Sequence, residues 1–64
     1  MPRYRVYMHE TPLAGQAPMG LAETFFAVND KSAEDIGREI ARRREANNDR
    51  ATIISYESVQ RIAD

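Results

Sequence analysis

Only one segment of this 64-residue sequence has the periodicity of an α-helix, and this limits what the rest of the chain can build. Between Asn29 and Asp49, apolar residues recur at helical spacing, whereas the segments before and after alternate as strands do. One helix covers only one face of a sheet. The sequence therefore predicts a small sheet with one face under the helix and the other face left for something outside the chain.

Three segments have the alternation of half-buried strands, namely residues 3–10, 21–29 and 51–57. The first strand is expected to stop at Thr11-Pro12, because proline removes a ladder donor. Residues 11–20 hold two of the three prolines and two of the three glycines, and are predicted to form a long loop.

The predicted fold class is α+β. Residues 1–64 are expected to form a single small β-β-α-β domain, with a three-stranded, mainly antiparallel sheet and one helix packed on one face. The third strand can lie beside the first, in the order 2-1-3, or beside the second, in the order 1-2-3. The former is favoured because parallel pairs prefer cover on both faces. Residues 58–64 are either strand after a bulge or a terminal helical turn.

The alternation also assigns side chains to the two faces of the sheet. The more apolar set is expected under the helix: Tyr4, Val6, Met8, Phe26, Val28, Ile54 and Tyr56. The opposite face is expected to carry aromatic and aliphatic residues among polar ones, with Leu21 beside them, and supplies most of the candidate binding residues: Arg5, Tyr7, His9, Phe25 and Ile53. Leu13 and Met19 are further apolar candidates from the loop.

The helix carries its own signals. Ser32 followed by Asp35 resembles a capping box, and Asp30 is an alternative cap. The apolar stripe of the helix consists of Ala33, Ile36, Gly37, Ile40 and Ala41. Glycine in a helix costs about 1 kcal/mol relative to alanine, so we expect a close approach of helix and sheet at Gly37. Arg44 falls on the extension of the stripe and is expected to pair or to extend its charge to solvent.

Composition excludes several classes of protein. There is no cysteine, so no disulfide or thiolate metal site is expected, and one histidine is too few for a zinc site. No metal or cofactor is predicted. No apolar run approaches ~20 residues, and no apolar signal core follows the basic N-terminus, so we expect a cytoplasmic protein with no membrane span. A domain of this size has a marginal core, which predicts a partner subunit.

Arg38, Arg42 and Arg43 form a candidate charged surface on the helix. Glu34 precedes Arg38 by four residues and Glu39 precedes Arg43 by four, the spacing at which ion pairs form on a helix. This pattern favours a solvated, salt-bridged face over a phosphate-binding site.

The arginine and aromatic residues on the face opposite the helix permit two interpretations. Aromatic side chains rimmed by arginine stack on bases in some nucleic-acid-binding sheets. The same residue types are enriched at protein interfaces, and the net charge of −1 gives little attraction to a polyanion. His9 and Glu10 have no nucleophile near them in sequence, so no enzyme is expected; a subunit contributing half of an active site at a dimer cleft is the catalytic alternative left open.

The sequence therefore predicts a small non-catalytic protein-binding module. It would be an inhibitor, adaptor or accessory subunit acting on a larger protein partner as a homodimer. The alternative is a small nucleic-acid-binding protein that uses the arginine and aromatic face. The β-β-α-β plan is similar to that of accessory subunits of enzyme complexes and of small phage-encoded inhibitors, a likeness of plan without a shared motif.

Overall fold

The computed structural model describes residues 1–12, 15, 17–48 and 52–64. Its elements are strand β1, strand β2, helix α1 and strand β3, with the bounds Arg3–Pro12, Met19–Phe26, Asp30–Ala46 and Thr52–Ala63. The strands form one antiparallel sheet of order β2-β1-β3 with the helix packed on one face. The predicted α+β class and the 2-1-3 order are confirmed.

A bulge in β3 decides the structure of the C-terminal residues. Tyr7 of β1 pairs with Ser58, but the next residue, Met8, pairs with Tyr56. Glu57 is therefore an extra residue in β3 with no paired residue in β1. A bulge of this kind shifts the phase of the alternation by one position. Residues 58–63 therefore continue the strand, and of the two alternatives for this segment the strand after a bulge is correct.

β1 is longer than the sequence predicts, because it includes Pro12. The β1–β2 register begins with Glu10 opposite Met19, whereas Pro12 pairs with Thr52 of β3. Proline is tolerated where its missing N–H has no strand to bond. Since β2 starts only at Met19, the β2 side of Pro12 is such a position.

The N-cap of the helix lies one residue before Asp30 and three residues before Ser32, the two predicted caps. Asn29 is the N-cap residue, and its side-chain oxygen accepts a hydrogen bond of 2.8 Å from the Ser32 N–H. Asparagine is among the best N-cap residues, so the capping-box interpretation of Ser32 and the alternative at Asp30 are both wrong. At the other end, Asn47 N–H bonds the Arg43 carbonyl and ends the helix.

The helix approaches the sheet closely at Gly37, as its place in the apolar stripe predicts. Gly37 is buried together with Ala33 and Ala41. A Cβ atom at Gly37 would lie 2.7 Å from the Val59 Cγ2 and 3.2 Å from the Val6 Cγ2. The small residues therefore let the helix backbone sit directly on the sheet. The buried hydrophobic core is Tyr4, Val6, Met8, Ala27, Ala33, Ala41 and Ile54.

The two faces of β2 are the reverse of the sequence-based assignment. Phe25 lies opposite Tyr4 in the register and packs against the core, and Leu21 does the same opposite Met8. Phe26 faces the other way and is 60% exposed, and Val28 is 61% exposed beyond the end of the strand. The placement of Phe25 on the face opposite the helix and of Phe26 and Val28 under the helix is wrong, because two adjacent phenylalanines give the alternation no preferred phase.

Candidate functional site

The face of the sheet opposite the helix is the candidate site, and we call it the open face. The register assigns its members: Arg3, Arg5, Tyr7 and His9 from β1, Ala22, Thr24 and Phe26 from β2, and Ile53, Ser55, Ser58 and Gln60 from β3. Two of its large apolar side chains are well exposed, Phe26 at 60% and Ile53 at 47%. The helix packs on the other side of these strands, so it does not cover them.

Tyr7 occupies the middle of the open face. Its neighbours across the sheet are the small residues Ala22 and Ser58, and its ring is half-buried. The Tyr7 hydroxyl lies 3.5 Å from the Gln60 Oε1, a long hydrogen bond at the surface. The ring is therefore held near the sheet while one side of it is available to a partner. Tyrosine suits such a position because it presents an apolar ring together with a hydrogen-bonding group.

The bulge brings an acidic side chain to His9. The His9 Nδ1 lies 2.8 Å from the Glu57 Oε2, and both side chains are about half exposed. Ser55 lies opposite His9 in the register. A histidine between a carboxylate and a serine is a pattern of nucleophilic catalysis. In the described residues, however, the Ser55 hydroxyl makes no hydrogen bond to His9.

The arginines of the helix surface are paired, as their spacing predicts. Arg38 binds Glu34 at 3.2 Å and its guanidinium lies 4.5 Å from the centre of the Tyr56 ring. Arg43 binds Glu39 at 3.2 Å, and Arg42 lies 3.8 Å from the same carboxylate. Each of the three cations therefore has an acidic partner on its own helix, and the predicted charged surface is locally neutralised.

A groove of about 810 Å³ runs between the C-terminal half of α1 and β2. It exists because the helix lies mainly over β3 and, to a lesser extent, β1. Ile40 lines the groove, and the ion pair between Arg44 and Glu23 crosses it. Of the two expected alternatives for Arg44, ion pairing and extension of its charge to solvent, the structure shows ion pairing. Glu10, the neighbour of His9 in sequence, lines this groove on the helix side of the sheet.

The structure brings most of the predicted binding residues together. Arg5, Tyr7, His9 and Ile53 lie on the open face, whereas Phe25 lies in the core. Met19 begins β2 and is 55% exposed, but its register partner Glu10 places it on the helix side. Leu13 lies outside the described residues.

Sequence reasoning did not identify Phe26, Gln60 and Glu57 as part of this surface. Phe26 and Gln60 lie on the open face, and Glu57 reaches the His9 side chain. Glu57 and Gln60 were missed because the alternation in β3 is interrupted by the bulge. The loss of alternation after Glu57 was the available signal for it.

Comparison of the chain with protein-family models, with curated proteins and with solved structures finds no match. Among the described residues there is no cluster of three histidine, cysteine or acidic side chains that could hold a metal ion. Within the same part of the chain, no helix is long and apolar enough to cross a membrane.

Proposed function

We propose that this chain is a small non-catalytic protein-binding module that acts as a homodimer on a larger protein partner. The observation that carries the proposal is the exposure of Phe26 and Ile53 on the face that the only described helix does not cover. Exposed aromatic and aliphatic side chains among polar ones are typical of protein interaction sites. In this proposal the open face is the surface that the partner contacts, and the chain works in the cytoplasm.

The surroundings of His9 support a binding role over a catalytic one. His9 and Glu57 lie on an exposed sheet surface, and neither lines one of the described pockets. Nucleophilic catalysis needs a nucleophile within hydrogen-bond reach of its base, and it gains most of its rate from donors held in a site that excludes water. The His9–Glu57 pair fits better as a polar contact at the rim of an interface.

Charge supports a protein partner over a nucleic acid. The net charge of the chain is −1, and Arg38, Arg42 and Arg43 are already paired with acidic residues. Arg3 and Arg5 remain on the open face, with Phe26 beside Arg3 in the register. Two arginines supply few phosphate contacts, and affinity for nucleic acid depends on several.

The test is site-specific photo-crosslinking in the cells that produce the protein. A benzophenone amino acid replaces Ser58, a small exposed residue in the middle of the open face, or Arg42, which lies on the solvent side of the helix as the control. We expect a discrete adduct with a larger protein from position 58, absent from position 42. Its loss in the variant Tyr7→Ala with Phe26→Ala would show that the aromatic side chains make the contact.

Two results would contradict the proposal. The first is the absence of any position-58 adduct that depends on Tyr7 and Phe26. The second is micromolar, salt-sensitive binding of single-stranded RNA or DNA that the double variant abolishes, because steep salt dependence is the mark of phosphate contacts. Fluorescence anisotropy with labelled oligonucleotides at physiological salt measures it directly.

A further inference from the structure

The two outer strands of the sheet have edges of different regularity. β2 pairs with β1 residue by residue from Met19 to Phe26 without a shift in register. The register between β3 and β1 shifts twice, once at Glu57 and once between Arg3 and Tyr4. Bulges twist an edge and are one of the means by which proteins prevent strand addition. β2 is therefore the regular edge of this sheet.

The backbone groups on the outer edge of β2 can be identified from one hydrogen bond. The Ala27 N–H donates to the Pro2 carbonyl at 3.2 Å, so the Ala27 backbone points toward β1. Backbone direction alternates along a regular antiparallel strand, and the β2 register is unbroken. The N–H and C=O groups of Gly20, Ala22 and Thr24 consequently point away from β1, along the outer edge.

The corresponding edge of β3 is already partly occupied. By the same alternation, the backbone of Ile54 points away from β1. Its N–H donates a 2.9 Å hydrogen bond to the Glu45 Oε2 of the helix. The helix that lies over β3 thus supplies a side-chain acceptor to that edge. From Met19 to Phe26, β2 has no proline or basic residue, and Glu23 is its only charge.

We infer that the outer edge of β2 pairs in antiparallel fashion with β2 of a second copy of this chain, about a two-fold axis perpendicular to the sheet. The inference rests on the homodimer of the proposed function and names the surface that forms it. Where the two strands overlap, a two-fold axis places each outward donor of one copy opposite an outward acceptor of the other. The edge is self-complementary in this sense, and the product is a six-stranded sheet of order β3-β1-β2-β2-β1-β3.

The position of Glu23 restricts the register of this pairing. An axis at Glu23 would place the two carboxylates directly opposite each other, and like charges in that arrangement are destabilising. An axis at Ala22 or Thr24 moves the two Glu23 carboxylates apart. It still pairs the outward backbone groups of Gly20, Ala22 and Thr24 with outward groups of the second copy. The Arg44 guanidinium, which binds Glu23 within one copy, reduces the remaining repulsion.

The location of the open face gives an independent reason for pairing edge to edge and not face to face. Pairing through β2 places the open faces of both copies side by side on one surface of about twice the area, with both helices on the other side. A dimer formed face to face would instead bury the open face and leave no such surface for the partner.

The test compares the self-association of two variants at one position. Thr24→Pro removes an outward N–H while keeping the hydrogen bonds to β1, a position at which an edge strand tolerates proline. Thr24→Val keeps the N–H and the branched side chain and is the matched control. By sedimentation equilibrium at micromolar concentration we expect twice the 7.3 kDa chain mass for the wild type and for Thr24→Val, and the single-chain mass for Thr24→Pro. The dissociation constant of Thr24→Val should lie within about threefold of the wild-type value.

Amide hydrogen exchange of the wild-type protein provides a second measurement that needs no variant. In the paired dimer the amides of Ala22 and Thr24 are protected, and the protection is lost on dilution below the dissociation constant. The Ile54 amide, bonded to Glu45 within one copy, is the internal reference and keeps its protection at all concentrations. Rapid exchange of Ala22 and Thr24 in a proven dimer would overturn the inference.

The outcomes separate this inference from the function on which it rests. Two results would rule out the β2 pairing but not the homodimer. One is a Thr24→Pro protein that remains dimeric, and the other is loss of the dimer in the variant Tyr7→Ala with Phe26→Ala. If the wild-type chain is monomeric throughout the micromolar range, both the β2 pairing and the homodimer are ruled out. Protection of Ala22 and Thr24 that appears only when the crosslinked partner is added would show that a strand of that partner occupies the edge instead.

Discussion

The rings of Tyr4 and Phe25 stack across the first two strands, with their centres 6.0 Å apart and their planes 22° from parallel. The two residues are directly opposite each other in the register, on the side of the sheet that the helix covers. Offset aromatic pairs of this kind stabilise a fold beyond the area that they bury. This contact places Phe25 in the core and, because side chains alternate along a strand, turns Phe26 outward.

The two adjacent phenylalanines should therefore respond differently to the same substitution. Phe25→Ala removes a partly buried ring and its stacking contact, and we expect it to lower the free energy of unfolding by about 2 kcal/mol, less than the ~3–5 kcal/mol of a fully buried phenylalanine. Phe26→Ala removes an exposed ring and should change it by no more than about 0.5 kcal/mol. Urea denaturation of both variants at the same protein concentration measures the difference. Equal losses, or a larger loss for Phe26→Ala, would contradict the assignment of faces.

Gly37 should be the position on the helix that least tolerates a side chain. A Cβ atom there would come within 2.7 Å of the Val59 Cγ2, and valine is stiff at χ1 and yields little. We expect Gly37→Leu to overpack this contact and to cost about 1–3 kcal/mol in thermal or urea unfolding, although leucine is the better helix former.

Gly20 is the matched control for this overpacking. A Cβ atom at Gly20 has no heavy atom within 4 Å, and the backbone there is not in the left-handed region. Gly20→Ala should be neutral or slightly stabilising, because alanine has less conformational freedom to lose on folding. If Gly37→Leu stabilises the protein, the helix must face the sheet with a different set of residues.

Tyr4 should make the fold sensitive to alkaline pH. Its hydroxyl donates a 2.7 Å hydrogen bond to the Asp30 Oδ1, which raises the pKa of the Tyr4 phenol above its ordinary value of 10.0, and burial adds to the shift. A pKa raised by folding means that the stabilisation is fully present below pH 10 and is lost as the pH rises through the higher value of the folded state. We expect the free energy of unfolding to fall in that range.

The variant Tyr4→Phe isolates this contribution. It lacks both the hydrogen bond to Asp30 and the ionisable group, so it should be less stable than the wild type at neutral pH, and the difference should shrink above pH 10. Urea denaturation at pH 7 and at several values above pH 10 measures it, and tyrosine absorbance follows the titration. A difference that stays constant or grows with rising pH would contradict the predicted sign.

The elements that sequence reasoning predicted well are those whose signal is local. Alternation placed Tyr4, Val6 and Met8 on the covered side of β1, and helical spacing placed Gly37 at the contact with the sheet. The pairs Glu34–Arg38 and Glu39–Arg43 follow from their separation along one helix. In each case the geometry of a single element determines which side chains are neighbours.

The candidate site was predicted less completely, because it depends on how the strands pair. His9 meets Glu57 only because the bulge adds a residue to β3, and neither strand alone indicates that contact. The Phe25-Phe26 doublet fits either phase of the alternation. The packing of Phe25 on Tyr4 and of Leu21 against the core selects one of them, and with it the apolar residue that the open face presents.

The sequence by itself determined the kind and order of the elements and the side of the helix that is buried. It also determined that a single helix has to cover a sheet with two faces. These follow from periodicity and propensity, which act within a few residues of the chain. Tertiary structure alone decided the phase of β2, the bulge at Glu57 and the lateral position of the helix over β3. The reason is that register and packing are set by contacts between segments distant in sequence, where a shift of one residue reverses the face of every side chain in a strand.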